Sequence, residues 1–268
     1  MAGVGTKSIL LVAGLSAAVG LALLTLQLNS GCPTSERTPA CTRILFIGNS
    51  YTTVNDLPSV FASLARSGGH RVQTGTAAVD GATLDDHAGS STTAAKLGSA
   101  SWDVVVLQEQ SQIPSVAQFR ETQMYPAARR LVGMIRNHGA RPVFYLTWAR
   151  RAGWPENGMP DYGSMQASID EGYLAIAAEQ QATIAPVGVA WSAMVNQPAP
   201  PVLWQDDGSH PTEAGTYLAA CVFYATIFRE SPRGLGYHSS LSADEAAKIQ
   251  EAAAETVLGD PAKWPLKD

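Results

Sequence analysis

Ser50 stands where a nucleophile could form. It follows Arg43-Ile44-Leu45-Phe46-Ile47-Gly48-Asn49, an apolar run with β-branched and aromatic members that reads as a buried strand stopping at Gly48. Small polar residues come next, then helical spacing from about Asn55 to Ser67. Ser50 therefore falls at the carboxyl end of a strand, where open α/β sheets bind ligands. A serine there becomes a nucleophile if a base can reach it; without one it caps the next helix or closes a turn. A candidate base lies far downstream, in Gln205-Asp206-Asp207-Gly208-Ser209-His210-Pro211-Thr212. Asp207 and His210 are three residues apart. A carboxylate that close can accept the imidazole Nδ1 proton, fix the tautomer and stabilise the imidazolium. Asp206 is the alternate partner, and would need a different loop course.

The blocks Gly48-Asn49-Ser50-Tyr51-Thr52 and Asp207-Gly208-Ser209-His210-Pro211 resemble the first and last motifs of the SGNH (GDSL-like) hydrolase superfamily. With Leu107-Gln108-Glu109-Gln110-Ser111 between them, the chain looks like a bacterial exported group marked by IGNS, LQEQS and DGSHP. The resemblance runs from Arg43 to about Phe228. It implies a three-layer α/β/α, flavodoxin-like fold with five parallel strands in the order 2-1-3-4-5. It also implies a serine hydrolase working by two-step acyl transfer. Ser50 would attack an ester carbonyl, His210 would take its proton and return it to the leaving alcohol, and Asp207 would orient the ring. The Ser50 N–H, the Gly81 N–H and the Gln110 amide would hold the oxyanion, each donor worth roughly 3 kcal/mol of barrier. Gln110 stands where most superfamily members carry the asparagine of G-x-N-D. It offers the same carboxamide on a chain one methylene longer, and Gln108 is the alternative donor for the oxyanion within that block. No cofactor is implied, and five scattered histidines show no metal-ligand spacing.

Other segments must position these groups. Asn55-Asp56-Leu57-Pro58 reads as a helix start, with Val60, Phe61 and Leu64 facing inward and Gly68-Gly69 at the end. His70 to Val79 alternates weakly, as an edge strand does, and leads into Gly81 and His87; the histidine reads as a surface or capping residue. Trp102-Asp103-Val104-Val105-Val106-Leu107 is the clearest buried strand. A helix over Phe119 to Asn137 precedes the strand Pro142 to Leu146. The irregular stretch Thr147 to Asp161 carries Trp148 and Trp154, which either form a sugar-stacking wall or pack against the sheet. A helix from Tyr162 to Gln181, a short strand over Ala182 to Val187, and helices over Pro211 to Phe228 and Leu241 to Leu258 complete an alternation that predicts a parallel sheet covered on both faces.

With 46% hydrophobic and 15% charged residues among 268, the chain is globular, and its net charge of −5 offers no basic stripe for nucleic acid. The first 31 residues read as a signal peptide or membrane anchor: Lys7 precedes an uncharged apolar run from Ser8 to Leu26. Leu28-Asn29-Ser30-Gly31-Cys32 resembles a lipoprotein processing site, which makes Cys32 a lipidation candidate, although Asn29 departs from the usual aliphatic residue. An uncleaved anchor and a buried helix are the competing readings. Residues 32–41 form a tether and 42–268 the catalytic-type domain. If Cys32 carries lipid, Cys41 and Cys221 remain, as a disulfide or as two free thiols.

The expected function is an exported serine esterase acting on carboxylic, foremost acetyl, esters of a small molecule or polysaccharide, with the membrane touched through the N-terminus only. A lipase- or thioesterase-type member is one alternative. A non-catalytic surface-binding module that keeps the fold is another, and the exchange of asparagine for Gln110 is what speaks for it.

Overall fold

Five short strands, each followed by helix or loop, build the frame in chain order. They are β1 (Thr42–Gly48), β2 (Val72–Ala78), β3 (Val104–Leu107), β4 (Arg141–Tyr145) and β5 (Thr183–Ala185). In the computed structural model, which describes residues 1, 32, 41–260 and 262–264, they form one all-parallel sheet in the order β2-β1-β3-β4-β5. The register sets Phe46 of β1 beside Thr76 of β2 and Val106 of β3, and Val106 beside Val143 of β4. The predicted leader and tether, apart from Met1, Cys32 and Cys41, lie outside the described residues. Among the described residues no helix is long and apolar enough to cross a membrane.

Why the central strands β1, β3 and β4 carry unbroken apolar runs, while the edge strand β2 alternates, follows from the layers. Ile44 and Phe46 point into one core with Val104, Val106, Val143 and Tyr145, while Leu45 and Ile47 point into the other with Val105, Leu107 and Phe144. A sheet buried on both faces has no polar side to alternate with.

The helices are α1 (Ser50–Thr53), α2 (Leu57–Ser67), α3 (Leu84–Gly89), α4 (Ser91–Leu97), α5 (Tyr125–Asn137), α6 (Tyr162–Gln180), α7 (Val187–Val195), α8 (Glu213–Phe228) and α9 (Ala243–Leu258). Residues of α2, α7, α8 and α9 fill the first core, and those of α3, α5 and α6 the second. The result is the three-layer α/β/α arrangement that the motifs implied.

Some boundaries differ from the sequence reading. The helix expected from Phe119 is interrupted: Arg120–Met124 forms a wider π-type turn before α5. Pro126 has no N–H for an i→i−4 bond and its ring crowds that carbonyl, so an ordinary α-turn cannot run through it. Helices α3, α4 and α7, like the single turn α1, were not read from the sequence. The first two are only six and seven residues long, and α7 is apolar nearly all round, with Val187, Ala190, Trp191 and Met194 buried. Such a helix shows no amphipathic stripe.

The cysteines pair differently from the sequence reading. Cys41 is joined to Cys32, and Cys221 is a free thiol buried in α8. Burial pushes the Cys221 thiol well above its usual pKa, consistent with a packing role. A sulfur held in a disulfide cannot also carry a thioether-linked lipid, so the two fates of Cys32 exclude each other.

Candidate active site

The order 2-1-3 reverses direction between β1 and β3, and it is outside such a switch point that a crevice opens in a doubly wound sheet. Ser50 follows β1 and Gln110 follows β3. Here lies a cavity of about 350 Å³, with Ser50, Gly81, Gln110, Arg150 and His210 among its lining residues.

Ser50 is the first residue of α1, yet it does not cap it. That work falls to Asn49, whose Oδ1 accepts the Tyr51 N–H. The Ser50 hydroxyl is left for His210, whose Nε2 lies 2.9 Å from Ser50 Oγ. On the other side of the ring, His210 Nδ1 is 2.5 Å from Asp207 Oδ2. With the Nδ1 proton on the carboxylate side, Nε2 is the acceptor that faces the hydroxyl. The other carboxylate oxygen, Asp207 Oδ1, accepts the Ser209 and His210 N–H groups at 2.8 and 3.0 Å. Partial desolvation raises the Asp207 pKa, but the bonds from the His210 ring and these two amides outweigh it, so the carboxyl sits below its ordinary value. The geometry thus selects Asp207 over Asp206, which is exposed and engages Arg151 only through its backbone carbonyl.

The turn at Ser50 is held by side chains that the sequence reading left unassigned or assigned elsewhere. Gln108 is fully buried. Its Oε1 accepts from Asn49 N at 2.9 Å and Thr52 Oγ1 at 3.0 Å, and its Nε2 donates to Asn49 Oδ1 and Glu109 O. Both of its donor hydrogens are used, and it does not line the cavity, so it is unavailable to an oxyanion there. Gly48 makes room for it: a Cβ at that position would lie 2.4 Å from Gln108 Oε1. His87, read from sequence as a surface or capping residue, is buried instead. Its Nε2 bonds the Gly48 carbonyl at 2.8 Å and its Nδ1 the Thr93 hydroxyl at 2.9 Å.

Gln110 does reach the cavity. Its Oε1 accepts the Gln112 N–H at 2.8 Å, while its Nε2 has one long contact, 3.5 Å, to Ser111 Oγ. The amide is oriented through its oxygen, and its nitrogen keeps donor capacity. Gly81 lines the same cavity with φ +72°, a left-handed conformation that favours glycine. A Cβ there would meet nothing within 4 Å, so conformation rather than crowding explains the residue.

Glu109 joins these two loops. Its Oε1 accepts from Leu84 N at 3.0 Å and Gln110 N at 2.7 Å, while Oε2 is buried without a hydrogen-bond partner among the described residues. Burial raises its pKa to about 7, against the lowering effect of those two N–H bonds.

Trp148 is no sugar-stacking wall. It is fully buried, stacked on Tyr51 at 4.6 Å and Trp191 at 4.0 Å, and its Nε1 donates to Ser209 O at 2.9 Å. Tyr51 adds a bond from its hydroxyl to Ser209 Oγ at 2.7 Å. Ser209 is thus pinned twice, one residue before His210. Of the two, Tyr51 carried a signal in its position immediately after Ser50; Ser209 carried none beyond its neighbour.

A protein from Slackia heliotrinireducens assigned to the SGNH hydrolases aligns over 70% of this chain and 99% of its own, at 32% identity and a TM-score of 0.60. This chain belongs to the SGNH hydrolases. Two further structures share the fold of this SGNH hydrolase. A DUF4886 family protein from Bacteroides uniformis has 18% identity and a TM-score of 0.70, covering 84% of this chain and 97% of its own. A catalytic mutant of an acetylxylan esterase from Geobacillus stearothermophilus has 14% identity and a TM-score of 0.51, covering 69% and 94%. No family model and no curated protein matches the SGNH hydrolase chain.

Proposed function

We propose that this SGNH hydrolase is an exported serine esterase that cleaves carboxylic, foremost acetyl, esters carried on carbohydrate. The observation that carries the reading is the continuous path Ser50 Oγ–His210 Nε2, His210 Nδ1–Asp207 Oδ2. His210 takes the hydroxyl proton as Ser50 Oγ bonds to the carbonyl carbon. The oxyanion settles against the Ser50 and Gly81 N–H groups and the Gln110 amide. The tetrahedral species collapses as His210 gives its proton to the departing alcohol. Water then repeats the cycle on the acyl-serine and releases the acid.

Carbohydrate as the carrier is supported by the hydroxyl, amide and guanidinium side chains lining the open cavity, among them Ser111, Gln110 and Arg150, and by the fold shared with an acetylxylan esterase. Export is supported by the apolar run near the N-terminus and by the Cys32–Cys41 disulfide, a bond that persists in oxidising compartments. With Cys32 engaged in that bond, attachment of the N-terminus through an uncleaved apolar anchor is the form of membrane contact we favour over lipidation.

The test is reaction with a fluorophosphonate probe and turnover of p-nitrophenyl acetate and acetylated xylan. Wild-type protein labels at Ser50 and hydrolyses the esters; Ser50→Ala neither labels nor turns over above roughly a thousandth of the wild-type rate. Turnover retained in Ser50→Ala refutes the assignment. Wild-type protein that never labels favours a binding module.

A further inference from the structure

Arg150 is a charged group on the cavity wall that the acyl-transfer path leaves unused. It stands in the loop after β4 and lines both the Ser50–His210 cavity and an adjoining one of about 470 Å³, whose lining includes Arg151, Trp154 and Asp207. Its backbone is fixed from several sides. Ala149 N donates to Gln166 Oε1 at 2.7 Å, Arg151 N to Gly208 O at 2.8 Å, and Gly153 N to Arg150 O at 2.9 Å. The guanidinium itself is sparsely engaged. Nη2 donates to Gln112 Oε1 at 3.1 Å, while Nε is buried with no hydrogen-bond partner, and among the described residues no carboxylate forms an ion pair with it. The other charged groups on these walls are occupied or peripheral: Asp207 is bonded to His210, and Asp80, Glu156 and Arg151 are exposed.

A guanidinium carries five N–H donors in a planar fork, and a carboxylate is the group that accepts two of them in parallel. Only Nε of that fork is buried without a protein partner; Arg150 is half-buried on the wall of an open cavity beside Ser50, where a carboxylate can accept from it. We propose that Arg150 is the anion subsite of this enzyme and that its substrate is an ester that also bears a carboxylate. This rests on the esterase reading above and deepens it. The carboxylate could belong to the alcohol portion, as in an acetylated uronic acid, or to the acyl portion, as in a dicarboxylic half-ester. The two sources present the same chemistry to the arginine.

Matched pairs separate the sources. Acetylated methyl galacturonoside against its methyl ester probes the alcohol side; p-nitrophenyl hydrogen adipate against p-nitrophenyl hexanoate probes the acyl side. Binding of the four compounds is measured by titration calorimetry to full-length Ser50→Ala protein, alone and combined with Arg150→Gln or Arg150→Lys, so the result does not depend on turnover. Kinetics of the same pairs on protein with Ser50 intact run alongside. The expected result is that the anionic member of one pair binds at least tenfold more tightly than its neutral partner. Arg150→Gln abolishes that ratio, and Arg150→Lys, a point charge without the fork, retains part of it. Equal binding within both pairs, or a ratio that survives Arg150→Gln, overturns the anion subsite. Absence of Ser50-dependent hydrolysis with the binding ratio intact overturns the esterase reading and leaves the subsite standing.

Discussion

The two halves of the candidate active site are built by opposite means. The Ser50 turn and the loops facing it are continuous with the core: Asn49, Thr52, His87, Gln108 and Glu109 are all buried, and side-chain amides and carboxylates stitch the ends of β1, β2 and β3 together. The base half is a surface loop. The side chains of His210 and Asp207 are 33% and 45% exposed, and the loop docks on the body through the Tyr51 and Trp148 bonds to Ser209 and the Asn55 bond to Pro211 O. A buried polar network is costly when broken, because each orphaned group keeps its desolvation penalty. An exposed one gives its partners back to water. Substitutions in the first half should therefore lower stability, and those in the second should lower activity while the fold survives.

The hardest test of that contrast is Gln108→Ala. It orphans Asn49 N and the Thr52 hydroxyl, deprives Glu109 O of its donor, and leaves a void next to Gly48. We expect a loss of about 4 kcal/mol in denaturant unfolding. A loss below roughly 1 kcal/mol would show that the amide is dispensable and the contrast false.

Next in size is the pH response of Glu109. Its pKa in the fold is about 7, against 4.5 for the free side chain. Between those values the folded state holds a proton that the unfolded state has released. Stability contributed by this group is therefore lost as pH rises through the window, by roughly 3 kcal/mol in all. Glu109→Gln keeps an oxygen acceptor for Leu84 N and Gln110 N but cannot ionise. Denaturation midpoints taken from about pH 5 to about pH 8 should fall in wild type and flatten in the variant; parallel curves would remove Glu109 as the cause.

What could be read from the sequence divides along the same line. The central strands were legible because burial on both faces makes them unbroken apolar runs; Asp207 and His210 were legible because their spacing lies within one short segment, and Ser50 because it ends the first of those runs. The network under the nucleophile was less so. Whether Gln108 or Gln110 faces the cavity depends on how the chain turns after β3, and two amides in the same block carry no mark of it. His87 read as a surface residue because α3 is too short to show a periodic face. Trp148 lay in an irregular loop where pattern is silent, and its burial is decided by Trp191 on a helix that showed no stripe. Each of these depends on contacts between segments distant in the chain.

The smallest expected effect tests the base half with the least disturbance. Tyr51→Phe removes one hydroxyl, the one 2.7 Å from Ser209 Oγ, and keeps the ring stacked on Trp148. The phenol is buried and its pKa raised by that burial, so the hydroxyl is neutral and the bond an ordinary one. Its net loss should lower stability by about 1 kcal/mol. Ser209 keeps the Trp148 bond to its carbonyl and the Asp207 bond to its N–H, so the loop stays docked but is free to shift at its hydroxyl. His210 is the next residue, and proton transfer depends on how often Nε2 lies within reach of Ser50 Oγ. The expected outcome is a several-fold fall in kcat with KM little changed, measured on p-nitrophenyl acetate. A stability loss of the size expected for Gln108→Ala, with kcat intact, would place Tyr51 with the core half and erase the distinction between the two.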